Sequence, residues 1–304
     1  MNDLYSWQQD LYPLVKKRFD MRYSNRMDIM SSVVGIIEQD DIDYRLEGVG
    51  GYGELPVYNG SVVVKADQKR AFISTITPEE YALAVSVSYK KNKIDSSGEA
   101  QRTGNRLADS AYMTVLNRFY RLFQNAFKEA GSDGKPWASN DHPINTQETN
   151  KTFSNLINET LSVAAITKAQ TMSSRYITPD GLPFAANFDL LLVSPELEPR
   201  AKEICGPDSK LCPEKNPDND TNAANPVYGM KYLVVGGGGI GFTSKQWAIC
   251  DQMLLAEVVK LVYITKPTVL IAQQDNPLIT DYIGYVDFGI GYGDARPIIF
   301  SNPV

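Results

Sequence analysis

The sequence predicts a mixed α+β fold organised around one long helix, and three observations carry that reading. Within residues 101–131, apolar side chains at Leu107, Ala111, Val115, Phe119, Leu122, Ala126 and Ala130 recur every three or four positions, widened by Tyr112, Leu116, Phe123 and Phe127. Glycine-broken runs rich in β-formers precede this stretch. Short apolar runs bounded by turn residues, Leu190 to Val193 above all, follow it.

Taken over residues 106–130, the helix would be about 37 Å long at 1.5 Å per residue, against a mean helix of roughly 11 residues. Its length suits a strut. Arg102, Arg106, Arg118, Arg121 and Lys128 lie mostly off the apolar stripe, and Gly131 stands where a left-handed C-terminal cap is expected. Asp133-Gly134-Lys135-Pro136-Trp137 and Ser139-Asn140-Asp141-His142-Pro143 then read as a turn-rich clamp behind the strut.

Ahead of it, residues 2–19 carry Leu4, Tyr5, Leu11, Tyr12 and Val15 around Pro13, a broken amphipathic helix ending in the basic run Lys16-Lys17-Arg18. It is either an arm or a first helix packed on its own domain. From Asp40 the composition shifts. Gly48, Gly50, Gly51 and Gly53 interrupt the chain, and Asn59-Gly60 separates the β-prone runs 55–58 and 61–66, the strongest short hairpin signal. Runs at 70–77 and 81–89 follow without an intervening helix, so antiparallel pairing is expected. A ribbon of this kind is marginal alone in water. It either drapes over something else or forms a compact three-stranded sheet under the strut.

Beyond the clamp, Asn150 or Thr152 is placed to cap a helix through Phe153, Leu156, Ile157, Leu161, Ala164 and Ala169 to about Ser174. Pro179-Asp180-Gly181 is a turn by composition. Leu190 to Val193 reads as a buried strand, and Ser194-Pro195-Glu196 opens a helix with the serine as cap. Residues 206–226 are dense in Pro, Asn and Asp and read as a long loop. Strands are expected at 231–235, 261–264 and 269–272, while 247–260 fits a helix as well as a strand pair.

With 304 residues, 43% of them hydrophobic and 22% charged, the chain can bury a sizeable core in one or two domains. It has no apolar run of membrane-spanning length and no positively charged leader ahead of an apolar stretch, so a cytoplasmic product is expected. The formal charge of −6 argues against a general affinity for nucleic-acid phosphates. Cys205, Cys212 and Cys250 make neither a disulfide framework nor a zinc spacing, although Cys205 and Cys212 could pair across a short loop.

Catalytic constellations are weak. Gly236, Gly238 and Gly241 have dinucleotide-fingerprint spacing behind a strand, with Glu257 downstream, but four consecutive glycines imply a floppy loop and no further βαβ unit follows. Asp218, Asp220 and Asn222 match the first ligands of a calcium loop, yet Ala223 and Gly229 stand where its glycine and glutamate belong. His142 is the only histidine, which excludes a triad or a two-histidine metal site within one chain, and it reads as a structural turn residue. Neither catalytic residues nor a cofactor or metal are predicted.

The succession of glycine-broken ribbon, Thr77-Pro78-Glu79-Glu80-Tyr81 with its strand, strut, and Asp133-Gly134 with Ser139-Asn140-Asp141-His142-Pro143 resembles the major capsid proteins of tailed bacteriophages, the Hong Kong 97 type shell fold. The ending Phe288-Gly289-Ile290-Gly291-Tyr292-Gly293-Asp294-Ala295-Arg296 is similar to that of the Mu-like prophage major head subunit group. Leu190 to Val193 followed by Ser-Pro-Glu-Leu-Glu resembles the axial domain of such proteins. The resemblance covers about residues 41–303.

It implies an N-terminal arm over residues 1–40, an extended β-hairpin loop over 41–90 and a peripheral domain with the spine helix over 91–149. An axial domain over 150–260 and return strands of the peripheral domain over 261–304 complete the division. It further implies a head protein that self-assembles into hexamers and pentamers of an icosahedral shell around double-stranded DNA. Such a protein works with a portal protein, a scaffolding protein and in some cases a decoration protein, in a virion assembled in the bacterial cytoplasm. No long propeptide is apparent, so a separate scaffolding protein is expected. The expected lattice contacts are Val57, Tyr58, Asn59, Gly60 and Ser61 at the hairpin tip, with Lys65 and Lys69. Lysine–asparagine cross-linking, known in some members, is not carried over to either lysine. The alternatives are an encapsulin-like nanocompartment with the same fold and a nucleotide-dependent enzyme using the 236–241 loop.

Overall fold

The computed structural model describes residues 3–26, 30–48, 55, 57, 58, 63, 72–90, 98–147, 149–206, 225–273, 276 and 278–303. The strut is helix α2, Glu99–Gln124, about 39 Å long at 1.5 Å per residue. It starts seven residues earlier than the expected 106–130, behind Gly98 with a φ of 71°, because the stretch to Gln124 contains no proline and few β-branched residues. It also ends earlier, in a tight turn at Asn125–Phe127, where the Ala126 carbonyl accepts from the Ala138 N–H at 2.8 Å. Gly131 is not a left-handed cap. The left-handed residue is Gly134, at the Asp133-Gly134 turn, whereas Gly131 is small because Tyr292 Oη lies 2.9 Å from where its Cβ would be.

The buried stripe Leu107, Ala111, Val115, Leu116, Phe119 and Phe123 lies on a four-stranded sheet in the order β1-β13-β14-β4. Its strands are β1 Gly35–Glu38, β13 Val259–Gln273, β14 Ile279–Tyr292 and β4 Glu79–Ser88. Strand β13 merges the runs expected at 261–264 and 269–272. Lys266 and Pro267 interrupt neither, since they fall within the register shifts between Tyr263 and Thr268, where a missing N–H is tolerated.

Helix α1, Asp3–Ser24, runs unbroken through Pro13, contrary to the expected break. Pro13 is exposed, and packing offsets the hydrogen bond it cannot donate. Val15 and Phe19 are buried among Leu107, Ala108, Val269 and Tyr282, the Tyr12 hydroxyl donates to the Val269 carbonyl at 2.9 Å, and Arg22 and Arg26 both engage Asp109. Residues 12–24 thus lie along the strut of their own chain.

A second sheet runs β7-β15-β12-β8-β9, with β7 Leu156–Ile157, β15 Ile298–Ser301, β12 Trp247–Cys250, β8 Leu190–Val193 and β9 Lys231–Val234. Every residue of β8, β12 and β15 is buried, which explains why these strands are apolar throughout but for Ser301, whose hydroxyl donates to the Glu159 carbonyl at 2.7 Å. Helices α3, Val163–Ser173, and α4, Glu198–Cys205, pack one face into a core with Ile166, Leu191, Trp247 and Ile249. Because β15 joins this sheet, residues 261–304 do not all return to the sheet under the strut.

The helix expected from residue 150 begins only at Val163, capped by Ser162, whose Oγ accepts from the Ala165 N–H at 3.1 Å. Its first half is instead β6, Thr152–Phe153, paired with β5, His142–Pro143, and then β7, because the Asn155 N–H donates to the Ser139 carbonyl and its carbonyl accepts from the Phe300 N–H, which leaves neither for a helix. Ser194 does not cap α4 with its side chain. Its hydroxyl donates to the Ser244 carbonyl at 3.2 Å, and the Leu197 N–H finds the Ser194 carbonyl instead. The ambiguous 247–260 stretch is strand β12, then α5, Gln252–Val258, capped by Asp251, then the start of β13.

Candidate assembly surface

The Asn59-Gly60 turn of the expected hairpin, and most of the two runs beside it, lie outside the described residues. Leu55, Val57, Tyr58 and Val63 lie in no strand, and among the described residues of the ribbon the antiparallel pair is β2, Tyr44–Glu47, with β3, Ile73–Ile76. Strand β4, expected as part of the ribbon, pairs with β14 over its full length because Tyr81, Val85 and Val87 complete the apolar surface facing the helices. Of the predicted contact residues, Val57 and Tyr58 are 97% and 65% exposed. Asn59, Gly60, Ser61, Lys65 and Lys69 lie outside the described residues, as do Asp218, Asp220, Asn222 and Cys212.

What seats the base of the ribbon is the glycine spacing of Gly289, Gly291 and Gly293. On alternate positions of β14 and just past it, these present one side without side chains. Ile76 Cγ1 lies 2.7 Å from the point where a Gly291 Cβ would stand, and Leu46 Cδ2 lies 3.0 Å from the corresponding point at Gly293. The ribbon therefore sits in a groove that any larger residue would close.

The same C-terminal run ties the two sheets together. Tyr292 stacks on buried Trp137 with ring centroids 4.3 Å apart and planes 11° from parallel. Asp294 and Arg296 are paired at 2.5 Å with side chains only 5% and 4% exposed. Arg296 also donates to the carbonyls of Ile177 at 2.9 Å and Ile144 at 2.5 Å, and its guanidinium lies 4.8 Å over the Phe153 ring. Asn155, fully buried, donates to the carbonyls of Trp137 at 2.7 Å and Ala295 at 3.2 Å, and accepts from the Ser139 N–H at 2.9 Å. His142 belongs to this network, with Nδ1 2.6 Å from Asp133 Oδ2 and Nε2 near the Trp137 carbonyl and Asn155 Oδ1. Both ring nitrogens face acceptors, so the histidine is a structural cross-link. Burial also pushes the Tyr176 and Tyr292 hydroxyls above their usual range. Asn155, Asp294 and Arg296 carry this joint, and sequence reasoning had singled out only the last two, as part of a familiar ending.

The glycine run 236–241 is not floppy. β10, Gly236–Gly237, pairs with β11, Ile240–Gly241, across Gly238 and Gly239, whose φ values of 61° and 83° are those a type I′ turn needs. The next regular element is strand β12, so no helix N-terminus stands behind these glycines to receive a phosphate, which overturns the nucleotide-loop alternative.

Residues 72–299 match the sequence profile of a family described as phage capsid protein. The chain belongs to the phage capsid protein family. Comparison with proteins of established function finds no match in sequence. The fold is similar to the capsid of a native GTA particle, with a TM-score of 0.57 at 10% identity over 92% of this chain and 91% of that one. It is also similar to the head structure of Helicobacter pylori bacteriophage KHP40, at 0.56 and 10% identity over 90% of each chain. The capsid of Ralstonia phage GP4 matches at 0.54 and 10% identity, over 90% and 89%. This capsid protein therefore shares its mixed helix and sheet architecture with bacteriophage shells.

Proposed function

We propose that this protein is the major head subunit of a tailed double-stranded DNA phage or prophage. In this reading it assembles with copies of itself into hexamers and pentamers of an icosahedral shell. The family assignment carries the reading, and the exposed loop supports it. Leu55, Val57 and Val63 stand 91%, 97% and 75% exposed, and leaving such side chains in water forgoes on the order of 1.5–3 kcal/mol each relative to full burial. A neighbouring copy is the natural cover. Many modest contacts suffice, because each later contact in a lattice forms at high effective concentration.

In this reading α2 and the four-stranded sheet form the peripheral domain, and the five-stranded sheet with α3 and α4 forms the axial domain. The residues between β1 and β4 supply the extended loop, and the residues ahead of β1 are the N-terminal segment, which packs along α2. Val57 to Ser61, Lys65 and Lys69 are the proposed lattice contacts. The virion is assembled in the bacterial cytoplasm with a portal protein, a separate scaffolding protein and, in some heads, a decoration protein. The DNA is enclosed without sequence-specific binding. The similarity of residues 288–296 to the Mu-like ending supports placement in that group.

Negative-stain microscopy of the purified chain tests the proposal. Closed shells, capsomer rings or tubes are expected, and a monodisperse monomer across concentration and salt would refute it. Deleting residues 57–61 should leave a folded subunit that no longer assembles; normal particles from that variant would remove the tip from the lattice.

A further inference from the structure

The outer strands of the two large sheets differ in character. Among the described residues, β1 and β9 have four residues each and β7 two, and Glu38 at the end of β1 pairs with Lys266. The part of β13 beyond β1 is interrupted around Lys266-Pro267, and its Val269 carbonyl accepts from the Tyr12 hydroxyl. Strand β4 is the exception. It runs ten residues in register with β14 without a bulge, and past its first two residues it contains no charge and no proline. Charges, prolines, bulges and shortness are the devices that keep a sheet edge from pairing.

The direction of its free groups follows from the register. The Tyr89 N–H donates to the Leu278 carbonyl at 2.8 Å, one step beyond the pair of Ser88 with Ile279. Bonded positions alternate in an antiparallel ladder, so the odd-numbered residues of β4 bond β14, and the N–H and C=O groups of Glu80, Ala82, Ala84 and Ser86 point away from it. All four residues are exposed, and three have side chains too small to screen the backbone. On the side facing α2, Leu83 is 53% exposed, opposite Gly284, and lines a groove with Leu107, Ser110 and Thr114.

A second β4 fits this edge. Laid antiparallel about a two-fold axis at Ala84, the strands set Ala82 against Ser86 and Glu80 against Ser88, so that the outward backbone groups of each copy meet counterparts. The side chains agree with that register. Leu83 comes beside Val85 and Tyr81 beside Val87, pairs of the aromatic and branched kind that stabilise ladders. The glutamates fall at opposite ends, and each Glu80 lies diagonal to Lys90 of the other copy, which is exposed two positions past Ser88. The helices do not collide. Strands about 4.8 Å apart put the two β14 strands roughly 14 Å from one another, more than the 8–10 Å between packed helices, so the two α2 helices have room above them.

We propose that the outer edge of β4 pairs with β4 of a second copy, joining two four-stranded sheets into one across a two-fold axis. The inference rests on the shell reading for its place alone. Contacts around a ring of five or six are head-to-tail, so a self-complementary edge belongs between neighbouring rings.

Ala84 stands on the axis, and that makes the register testable. Single cysteines are placed at Ala84 or at Ala82, and assembled particles are treated with a short thiol-to-thiol cross-linker, with the parent as control; native Cys205 and Cys250 are buried. Ala84→Cys should give covalent dimers on denaturing electrophoresis, because its two copies face each other with Cα atoms about 5.5 Å apart. Ala82→Cys alone should not, since its own copies lie about 13 Å apart along the strands. Adding Ser86→Cys to Ala82→Cys should restore the dimer. Ala84→Pro removes a donor that the subunit itself does not use, so dissociated subunits should melt like the parent while assembly needs about tenfold more protein.

Ala84→Cys particles that give no dimer overturn the inference, as do Ala82→Cys dimers of equal yield or Ala84→Pro assembling like the parent. Assembly lost in Ala84→Pro without an Ala84→Cys dimer gives the edge to a different strand of the neighbour and overturns it as well. Shells from the parent without the dimer remove this inference alone. If the parent never assembles, the same cross-linking is done on the concentrated soluble chain: a dimer there keeps this contact and removes the shell reading, and its absence removes both.

Discussion

Arg296→Met removes a charge from the joint between the two sheets while keeping most of the side-chain volume. Three losses follow. Asp294, 5% exposed, is left as a buried carboxylate without its partner, the Ile144 and Ile177 carbonyls lose their donors, and the Phe153 ring loses the cation above it. Truncating one member of a buried ion pair costs on the order of 3–5 kcal/mol, most of it the stranded charge. Taking about 4 kcal/mol and an unfolding entropy near 2.1 cal/mol/K per residue, a 304-residue chain should melt about 6 °C lower. The decisive comparison is the double variant Asp294→Asn with Arg296→Met. It strands no charge and should regain more than half of the loss, because replacing both members of such a pair is far milder than removing one. The assay is thermal and urea unfolding of dissociated subunits by circular dichroism. A single variant within about 0.5 kcal/mol of the parent, the usual range for changes away from buried networks, would refute the claim that this pair holds the sheets. A double variant no better than the single would refute the stranded-charge account of the loss.

Two further outcomes follow from the geometry around the ribbon and the first helix. Gly291→Val places methyl groups into Ile76 Cγ1, which lies 2.7 Å from the Cβ position, so the β2–β3 ribbon should lift from its seat. Limited proteolysis should then cut faster at 44–47 and 73–76 while near-ultraviolet circular dichroism of the core persists; unchanged cleavage would show that the ribbon is held elsewhere. Asp109 is held below the usual carboxylate range first by its hydrogen bond from Arg22, then by Arg26. A depressed carboxylate stabilises above its unfolded pKa of about 3.9 and loses that contribution as pH falls through the lower folded value. Protection of residues 12–24 against hydrogen exchange, taken relative to the intrinsic rate at each pH, should therefore fall below pH 4 in the parent, and at neutral pH in Asp109→Asn. Because the side chains are about a third exposed or more, the effect is at most about 1 kcal/mol. Equal protection at pH 3 and 7 would count against the clasp.

Much of the fold was legible because its cause is local. The 3.6-residue stripe of α2 and the all-apolar β8 each report an environment through residues within a few positions of one another. So does the Pro179-Asp180-Gly181 turn, where Gly181 has a φ of 89°. Where the reading failed, the deciding partner lay far along the chain. Residues 153–157 keep a helical apolar spacing, yet the Asn155 N–H donates to the Ser139 carbonyl and the Asn155 carbonyl accepts from the Phe300 N–H, 145 residues on, so neither backbone group is left for a helix. Pro13 argued for a break, but what decides its cost is whether the helix around it is clamped, and the clamp is Asp109 and the Leu107–Tyr282 pocket.

The glycines illustrate the same limit most sharply, since glycine permits nearly every conformation and so announces none of them. Gly238 and Gly239 make a tight turn, Gly131 gives room to a tyrosine, and Gly289, Gly291 and Gly293 make a groove. The spacing of the last three, two apart at the end of a strand, was the one signal that could have been read, because alternate glycines clear a single side of a sheet. It matters for assembly. A ribbon seated in a groove at its base, with Leu55, Val57 and Val63 exposed farther along, is fixed in where it starts and uncovered where it reaches. Anchoring the base limits the directions the exposed part can take. In the proposed shell, that limit would lower the ordering cost of each contact with a neighbour and would let side chains of modest individual affinity hold a lattice.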